Sequence, residues 1–356
     1  MTFGKDESNE VKGVAILLLL FHHLFLHREY MEQVGLNYSV DVYYKIFPIV
    51  NMSRICVWIF TFISAYGLSI KYKSYRERSE VFVIKQWLKL MWKWWIVWLF
   101  MIIVYAVFKG NLLDHYHRSL KELFLDFFEW NDFFGKPRVL GSWYLCFAQL
   151  VIICIPAINA ICEKLGYLSL PLSYITIQFM GEGIVSTGGG RYSQYFLTVI
   201  AGVCLAQNSF GLLEHRDHKI VRVMEAVGYP VSAFGLLILQ YKLIVDLRQI
   251  SSVLRMLAVV CLVITIVKYI VGPLKRILIF FGENSTVMFM TNVFFYVTFP
   301  ELIFGSKSPI LSYISLVIVT FVCARLINII GEKSGYYKFL DKILDCCDSK
   351  IMAKGD

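Results

Sequence analysis

Ten apolar segments punctuate the chain, at about residues 14–30, 48–70, 88–108, 142–162, 168–184, 193–208, 224–241, 252–270, 278–299 and 310–330. Nothing else in the sequence narrows the possible folds as much. In a bilayer every backbone N–H and C=O must be bonded internally, so runs of this length are helices. At about 20 residues per transmembrane helix, ten spans take about 200 residues and leave only short connections. Composition agrees: 58% of the 356 residues are hydrophobic and 17% charged, against about 45–50% and about 25% in a soluble chain. That balance excludes a disordered chain, a collagen-like chain and a small disulfide-stapled domain. No period of 20–50 residues recurs, which excludes a solenoid. The expected fold is all-α, a polytopic bundle of about ten transmembrane helices in one unit (residues 1–335), with a polar tail over 336–356.

The formal net charge is +9, and the basic residues collect between apolar runs. With the N-terminus inside, Lys and Arg number 21 on inner connections and 11 on outer ones. The positive-inside rule therefore places both termini in the cytoplasm. Gly13 to Phe21 runs into His22 and His23 rather than a small-residue cleavage site, so it reads as a retained first helix. Seven of nine cysteines lie in apolar runs and read as small hydrophobes. Cys346 and Cys347 fall in the polar tail, where lipidation is an alternative.

The stretch Lys71 to Lys93 is the most basic in the chain and falls on the inner side. It reads either as topology and headgroup attraction or as a docking patch for a cytosolic polyanion. Trp92, Trp94, Trp95 and Trp98 within it are expected to form an interfacial belt. The longest outer connection, 109–141, mixes Asp114, His115, His117, Arg118, Asp126, Glu129, Asp132 and Arg138. Its LKELFLDFFEW run (120–130) predicts an amphipathic helix lying at the outer surface, and an aromatic, polar loop also suits carbohydrate.

Polar groups inside a bilayer cost about 2.5–3.5 kcal/mol each, so they are functional candidates. From Lys12 to His23 is eleven residues, nearly three helical turns, and both side chains fall on one face about 16 Å apart. With Lys12 at the inner headgroups, His23 lies near the midplane. It reads as catalytic or proton-handling, or as a bridge between helices. His27 follows on the same face, and His22 is turned about 100° away. The His23/His27 spacing suits a metal, but no further ligand pattern accompanies it, so no metal is expected. Arg54 opens the second span from outside and either snorkels or meets an anionic acceptor. Asn292 and Thr291 read as interhelical hydrogen-bonding groups, and Glu163 as a helix-end residue. Gly188, Gly189 and Gly190 form a loop without the strand-loop-helix setting of a phosphate cradle. GxSxG, HExxH, CxxC and P-loop motifs are absent from the sequence.

Taken in order, these segments resemble the acyltransferase-3 family of integral membrane acyltransferases, especially bacterial polysaccharide O-acetyltransferases. The first helix of that family carries a basic residue, ten residues, then His, met here by Lys12 and His23. WIFTFISAYGLSI (58–70) resembles its second-helix pattern, with Ala65 where Gly is usual. VFVIKQWLKLMWKWW resembles the basic stretch entering its third helix, and LGSWYLCFAQLVII a later helix start. FLTVIAGVCLAQNSFGL and LKRILIFFGENSTVMFMTN resemble two further segments. In the RxxR element Gln86 and Lys89 replace the paired arginines, with Lys85 adjacent, so any phosphate grip is less bidentate. Asn292 stands where a late-helix His is usual.

The resemblance implies that residues 1–335 are an acyltransferase domain of the cell membrane, taking acetyl groups from cytosolic acetyl-CoA, with no bound cofactor. Arg76, Arg78, Lys85 and Lys89 would hold the donor's phosphates. His23, with Lys12 and His22, would form the catalytic group, His23 acting as general base or acyl carrier. Arg54, Trp143 and Asn292 would face the acceptor, a hydroxyl of a cell-surface glycan. With about 25 residues after the last span, the bundle is expected to complete the reaction without an appended esterase-like domain. The alternative is a transporter or flippase of lipid-linked glycan, which would use the interrupted mid-chain spans without requiring the Lys12/His23 geometry.

Overall fold

The computed structural model describes residues 3–26, 40–110, 119–134, 143–185, 190–207, 219–243, 248–306 and 308–352. His27, Gly188, Gly189, Asp114, His115, His117, Arg118 and Arg138 lie outside the described residues. Every regular element among the described residues is helical. The long helices are α1 (Lys5–Leu26), α2 (Val40–Ser53), α3 (Cys56–Tyr72) and α4 (Ser79–Lys109). A short α5 (Leu120–Phe127) precedes α6 (Trp143–Leu165), α7 (Ser169–Val185) and α8 (Gly190–Gln207). Then follow α9 (Lys219–Leu243), α10 (Arg248–Tyr269), α11 (Gly272–Thr298), the single-turn α12 (Pro300–Phe304), α13 (Pro309–Lys333) and α14 (Tyr336–Met352).

Within the described residues the ten apolar segments are almost wholly helical, apart from a break at Arg54–Ile55, and eight stretches there are long and apolar enough to cross a membrane, where ten were expected. The difference has local causes. A single 3-10 turn separates α6 from α7, so Trp143–Ile177 counts as one stretch. The 18 residues of α8 include Arg191, Ser193, Gln194 and Gln207, which lower its apolarity.

Helix α1 is the centre of the bundle, and its partner is α11. A Cβ added at Gly13 would overlap the Leu278 carbonyl, and one added at Gly282 would overlap the Asn9 carbonyl. These reciprocal contacts, together with the His23–Asn292 hydrogen bond, fix one register: the helices run parallel, with residue n beside about n + 269. Between helices in lipid, small residues and Cα–H···O contacts replace the hydrophobic drive available in water. At one end of this pair Glu10, wholly buried, meets Lys275 at 3.3 Å. Gly202 brings α8 onto α3 in the same way, against the Phe62 carbonyl. At the start of α11, Gly272 at φ +69° turns the chain and Pro273 opens the helix.

Helix α5 is amphipathic, as expected for 120–130: Leu120, Lys121 and Phe124 are exposed, while its other face and the residues after it pack into the protein. Asp126 and Glu129 are wholly buried and Asn131 nearly so. The segment packs against the middle of α4, where the indole N–H groups of Trp94 and Trp95 donate to the Phe127 carbonyl at 3.1 and 3.2 Å. Trp98 donates to the Asp126 carboxylate at 3.2 Å. Trp130 and Trp87 share the Gln149 side-chain oxygen at 3.2 and 2.8 Å. Helix α5 closes in a Schellman arrangement, Trp130 N–H to Leu125 O and Glu129 N–H to Asp126 O. The left-handed position is held by Glu129 (φ 55°), where glycine is usual.

The tryptophans expected as a membrane belt therefore face inward, because their N–H groups supply the bonds that a backbone brought into the bundle requires. Trp92 serves α14 likewise: its N–H donates to the Tyr336 carbonyl at 3.1 Å, and the Tyr336 hydroxyl donates back to the Trp92 carbonyl at 2.8 Å. The polar tail is thus a docked amphipathic helix that buries Leu340 and Leu344. All nine cysteines are free thiols.

Because the α1–α11 contact is backbone on backbone, Gly13→Ala and Gly282→Ala are each expected to lower stability by about 1–3 kcal/mol through overpacking. Gly235→Ala, at a helical position with open space around it, should not. Thermal unfolding of the purified protein in detergent measures the contrast.

Candidate active site

Helices α1, α3, α4 and α6 enclose a cleft of about 430 Å³. Lys5, Ser8 and Lys12 line it from α1, Thr61, Ser64 and Lys71 from α3, and Tyr144, Phe147 and Val151 from α6. Apolar walls with a few convergent polar groups are the usual make-up of a small-molecule site. Lys12 is within electrostatic reach of Lys71 and Lys93, and Lys71 of Lys89. Four lysines from three helices therefore gather at this end of the bundle. Lys71, Lys89 and Lys93 remain exposed and Lys12 is half-buried.

At the inner end of the cleft the Tyr144 hydroxyl lies beside the Thr61 and Ser64 side chains. The Tyr144 ring stands edge-on to Phe289, centroids 5.4 Å apart. The Phe289 carbonyl accepts from the Asn292 amide N–H₂, which turns the Asn292 oxygen toward His23. His23 Nδ1 therefore donates to that oxygen at 2.8 Å. In the neutral ring this selects the tautomer whose lone pair is on Nε2, the form needed for a base or nucleophile. A contiguous path, Tyr144, Phe289, Asn292, His23, thus joins the cleft to the imidazole. His23 itself does not line the cleft.

His22 has a different task. It is buried, and its Nδ1 donates to the Val50 carbonyl at 2.8 Å. The chain breaks from α2 into α3 just beyond, where Arg54 N–H bonds to Asn51 rather than to Val50. His22 supplies the bond that the interrupted helix leaves unmade. It thereby fixes the turn from which Arg54 projects.

Near that turn lies an aromatic group. The Arg54 guanidinium lies 6.0 Å from the Trp58 ring centroid, and Arg255 of α10 lies 4.3 Å from it. Tyr195 packs on Trp58 at 4.4 Å, and Trp143 stacks on Tyr195 at 5.3 Å and on Tyr192 at 6.3 Å. The Tyr192 hydroxyl donates to Asp132 of the segment that follows α5.

Of the residues singled out from sequence, Lys12 and Lys89 belong to the lysine cluster, His23 and Asn292 are bonded to one another, and Arg54 and Trp143 share the aromatic group. Arg76 is ion-paired with Glu163 at 2.9 Å on the exposed surface. Arg78 lies exposed at the start of α4. Lys85 is buried, with its ammonium 5.6 Å from the Tyr75 ring centroid. Sequence reasoning passed over Lys71 and Lys93 as ligands, although both end the basic stretch it recognised. It also missed Tyr144 and Arg255, which carry no motif.

The fold and this arrangement define a multi-pass integral membrane protein built around a basic cleft and a half-buried, oriented imidazole. The family model described as an acyltransferase domain matches residues 8–329. The chain belongs to the acyltransferase-3 family, and that membership implies acyltransferase activity. No curated protein and no solved structure matches it.

Proposed function

We propose that the protein is an O-acetyltransferase of the plasma membrane. It takes the acetyl group of cytosolic acetyl-CoA and delivers it to a hydroxyl of a cell-surface polysaccharide outside. One observation carries the reading: a single face of α1 presents Lys12 to the lysine-ringed cleft and, three turns further on, the His23 imidazole oriented by Asn292.

In this reading the Lys12 end of the bundle is cytosolic. The donor's phosphates lie against Lys71, Lys89, Lys93 and Lys12, as charge-assisted partners of exposed ammonium groups. Lys85, beneath Tyr75, and Arg76 and Arg78 extend the same basic end. The thioester arm enters the cleft and is directed past Tyr144 and Phe289. As general base, His23 Nε2 accepts the proton of the acceptor hydroxyl as its oxygen attacks the thioester carbonyl. The C–S bond breaks, the ester forms, and the thiolate takes the proton from the imidazolium. As acyl carrier, Nε2 attacks first and expels the thiolate; the hydroxyl oxygen then attacks the acyl-imidazolium and displaces the neutral imidazole, and the hydroxyl proton passes to the thiolate. Either route needs the tautomer that Asn292 selects. Arg54, Trp143 and the aromatic group beside them receive the acceptor.

His23→Ala is expected to abolish acetyl transfer to surface glycan while the protein still reaches the membrane. Mass analysis of the glycan and immunoblotting of membranes check both. Intact O-acetylation would remove His23 from the mechanism. Asn292→Ala should lower kcat about 10–100-fold, the usual loss when the partner that orients a functional histidine is removed, with little change in donor KM. Replacing Lys71, Lys89 and Lys93 together by Gln should raise the KM for acetyl-CoA about tenfold or more, as expected for lost charge-assisted bonds. It should also flatten the dependence of KM on salt.

A further inference from the structure

The turn after α2 brings two arginines onto one indole. Arg255 stacks close to the Trp58 ring, with its guanidinium carbon 4.3 Å from the centroid, and Arg54 approaches at 6.0 Å. The two cations repel each other. Among the described residues neither is ion-paired with a carboxylate. Arg255 bonds to the neutral Gln194 side chain at 3.3 Å, and Arg54 to the Tyr195 hydroxyl. Asp132, the acid attached to this aromatic group, accepts from Tyr192 instead. Trp58 is wholly buried, and its Nε1–H has no acceptor. On the same α8 that carries Tyr195, the buried Thr198 hydroxyl also lacks a partner.

Among the described residues, two guanidiniums without a carboxylate and a buried N–H without an acceptor form an arrangement of donors and positive charge that lacks an anion. Left alone it is costly: buried donors are nearly always bonded, and like charges held together disfavour one another. An oxyanion cancels both penalties. Guanidinium groups match the planar oxygen pairs of carboxylate and phosphate. The stacked faces of Trp143, Tyr192 and Tyr195 alongside offer an apolar ledge to a sugar ring.

We infer that Arg54, Arg255 and Trp58 form an oxyanion-binding subsite for the acceptor, so that the acetylated glycan carries a carboxylate or a phosphodiester close to the hydroxyl that reacts. The inference rests on the transferase reading and goes further, by naming the chemical class of the acceptor. Arg54 stays exposed and gives the subsite its opening. His22, through Val50, holds Arg54's turn against the helix that carries His23, so the anion and the reacting hydroxyl are referred to one element.

The test uses the full chain in nanodiscs of zwitterionic lipid. Three labelled oligosaccharides of equal length are compared by equilibrium binding without donor: one containing hexuronate, one bearing glycerol phosphate, and one neutral. At least one anionic glycan should bind about tenfold or more tighter than the neutral one, the gain expected of charge-assisted bonds. Which of the two does so identifies the oxyanion. In the Arg54→Gln/Arg255→Gln double variant the preference should fall to about twofold or less, and Arg255→Lys should lose part of it because the charge remains without the planar fork.

Equal binding of all three glycans by the wild type, or a preference that survives the double variant, overturns the proposal. A preference abolished only by adding anionic lipid to the nanodiscs, and untouched by the double variant, overturns it in favour of a headgroup contact elsewhere. Acetyl-CoA binding to the same wild-type sample is measured separately. Loss of that binding would count against the transferase reading, whereas a missing anion preference with donor binding intact counts only against the subsite.

Discussion

Everything in this bundle is referred to the contact between α1 and α11, where Gly13 and Gly282 each admit the other helix's backbone carbonyl. In water two helices this close would be held by the release of solvent from apolar side chains. In lipid that drive is absent, and close approach is sustained by dispersion, weak Cα–H···O contacts and interhelical hydrogen bonds. Such forces fall steeply with separation, so the contact sets the register along the whole pair. Three turns further on, that register is what brings Asn292 opposite His23.

The polar groups are distributed with a consistent logic. One end of the bundle gathers lysines, which are compact, strongly hydrated charges suited to an open site and a mobile polyanion. The other cluster uses arginines stacked on aromatic rings, which tolerate partial burial. Between them lie the packed rings of Tyr144 and Phe289. An acyl group can cross such a partition while the charged parts of donor and acceptor stay on their own sides. A partition of this kind also suits chemistry in which a thioester must be kept from hydrolysis.

The sequence disclosed the helices and the Lys12/His23 relation because both depend on spacing along one element, where about 1.5 Å per residue and 3.6 residues per turn suffice. It did not disclose what meets His23. Asn292 was visible as a polar residue in an apolar run, but its pairing depends on the register of two helices separated by most of the chain. What the helix over 120–127 packs against was hidden for a related reason. LKELFLDFFEW has the periodicity of a surface helix, and that pattern is indifferent to whether its apolar face meets lipid or protein. The clue lay in α4, where four indole N–H groups in seven residues exceed what a membrane belt needs and match carbonyls brought in from outside. Arg255 escaped notice because a lone arginine near a helix start resembles a topological charge until Trp58 and Arg54 are placed beside it.

Helix α1 therefore does more than carry a histidine. Lys12 faces the cleft, His23 binds α11 through Asn292, and His22, one residue earlier, binds the broken end of α2 and so the turn bearing Arg54. Adjacent residues on a helix point about 100° apart, which lets a pair of neighbouring imidazoles hold two different helices at the same depth. In the proposed reading, donor cleft, imidazole and acceptor-side arginine are in this way indexed to one rigid element. Transfer across a membrane requires the reacting hydroxyl and the thioester to be positioned by the same body although they arrive from opposite sides. A single helix with substituents on two faces meets that requirement without any moving domain to bring the two together.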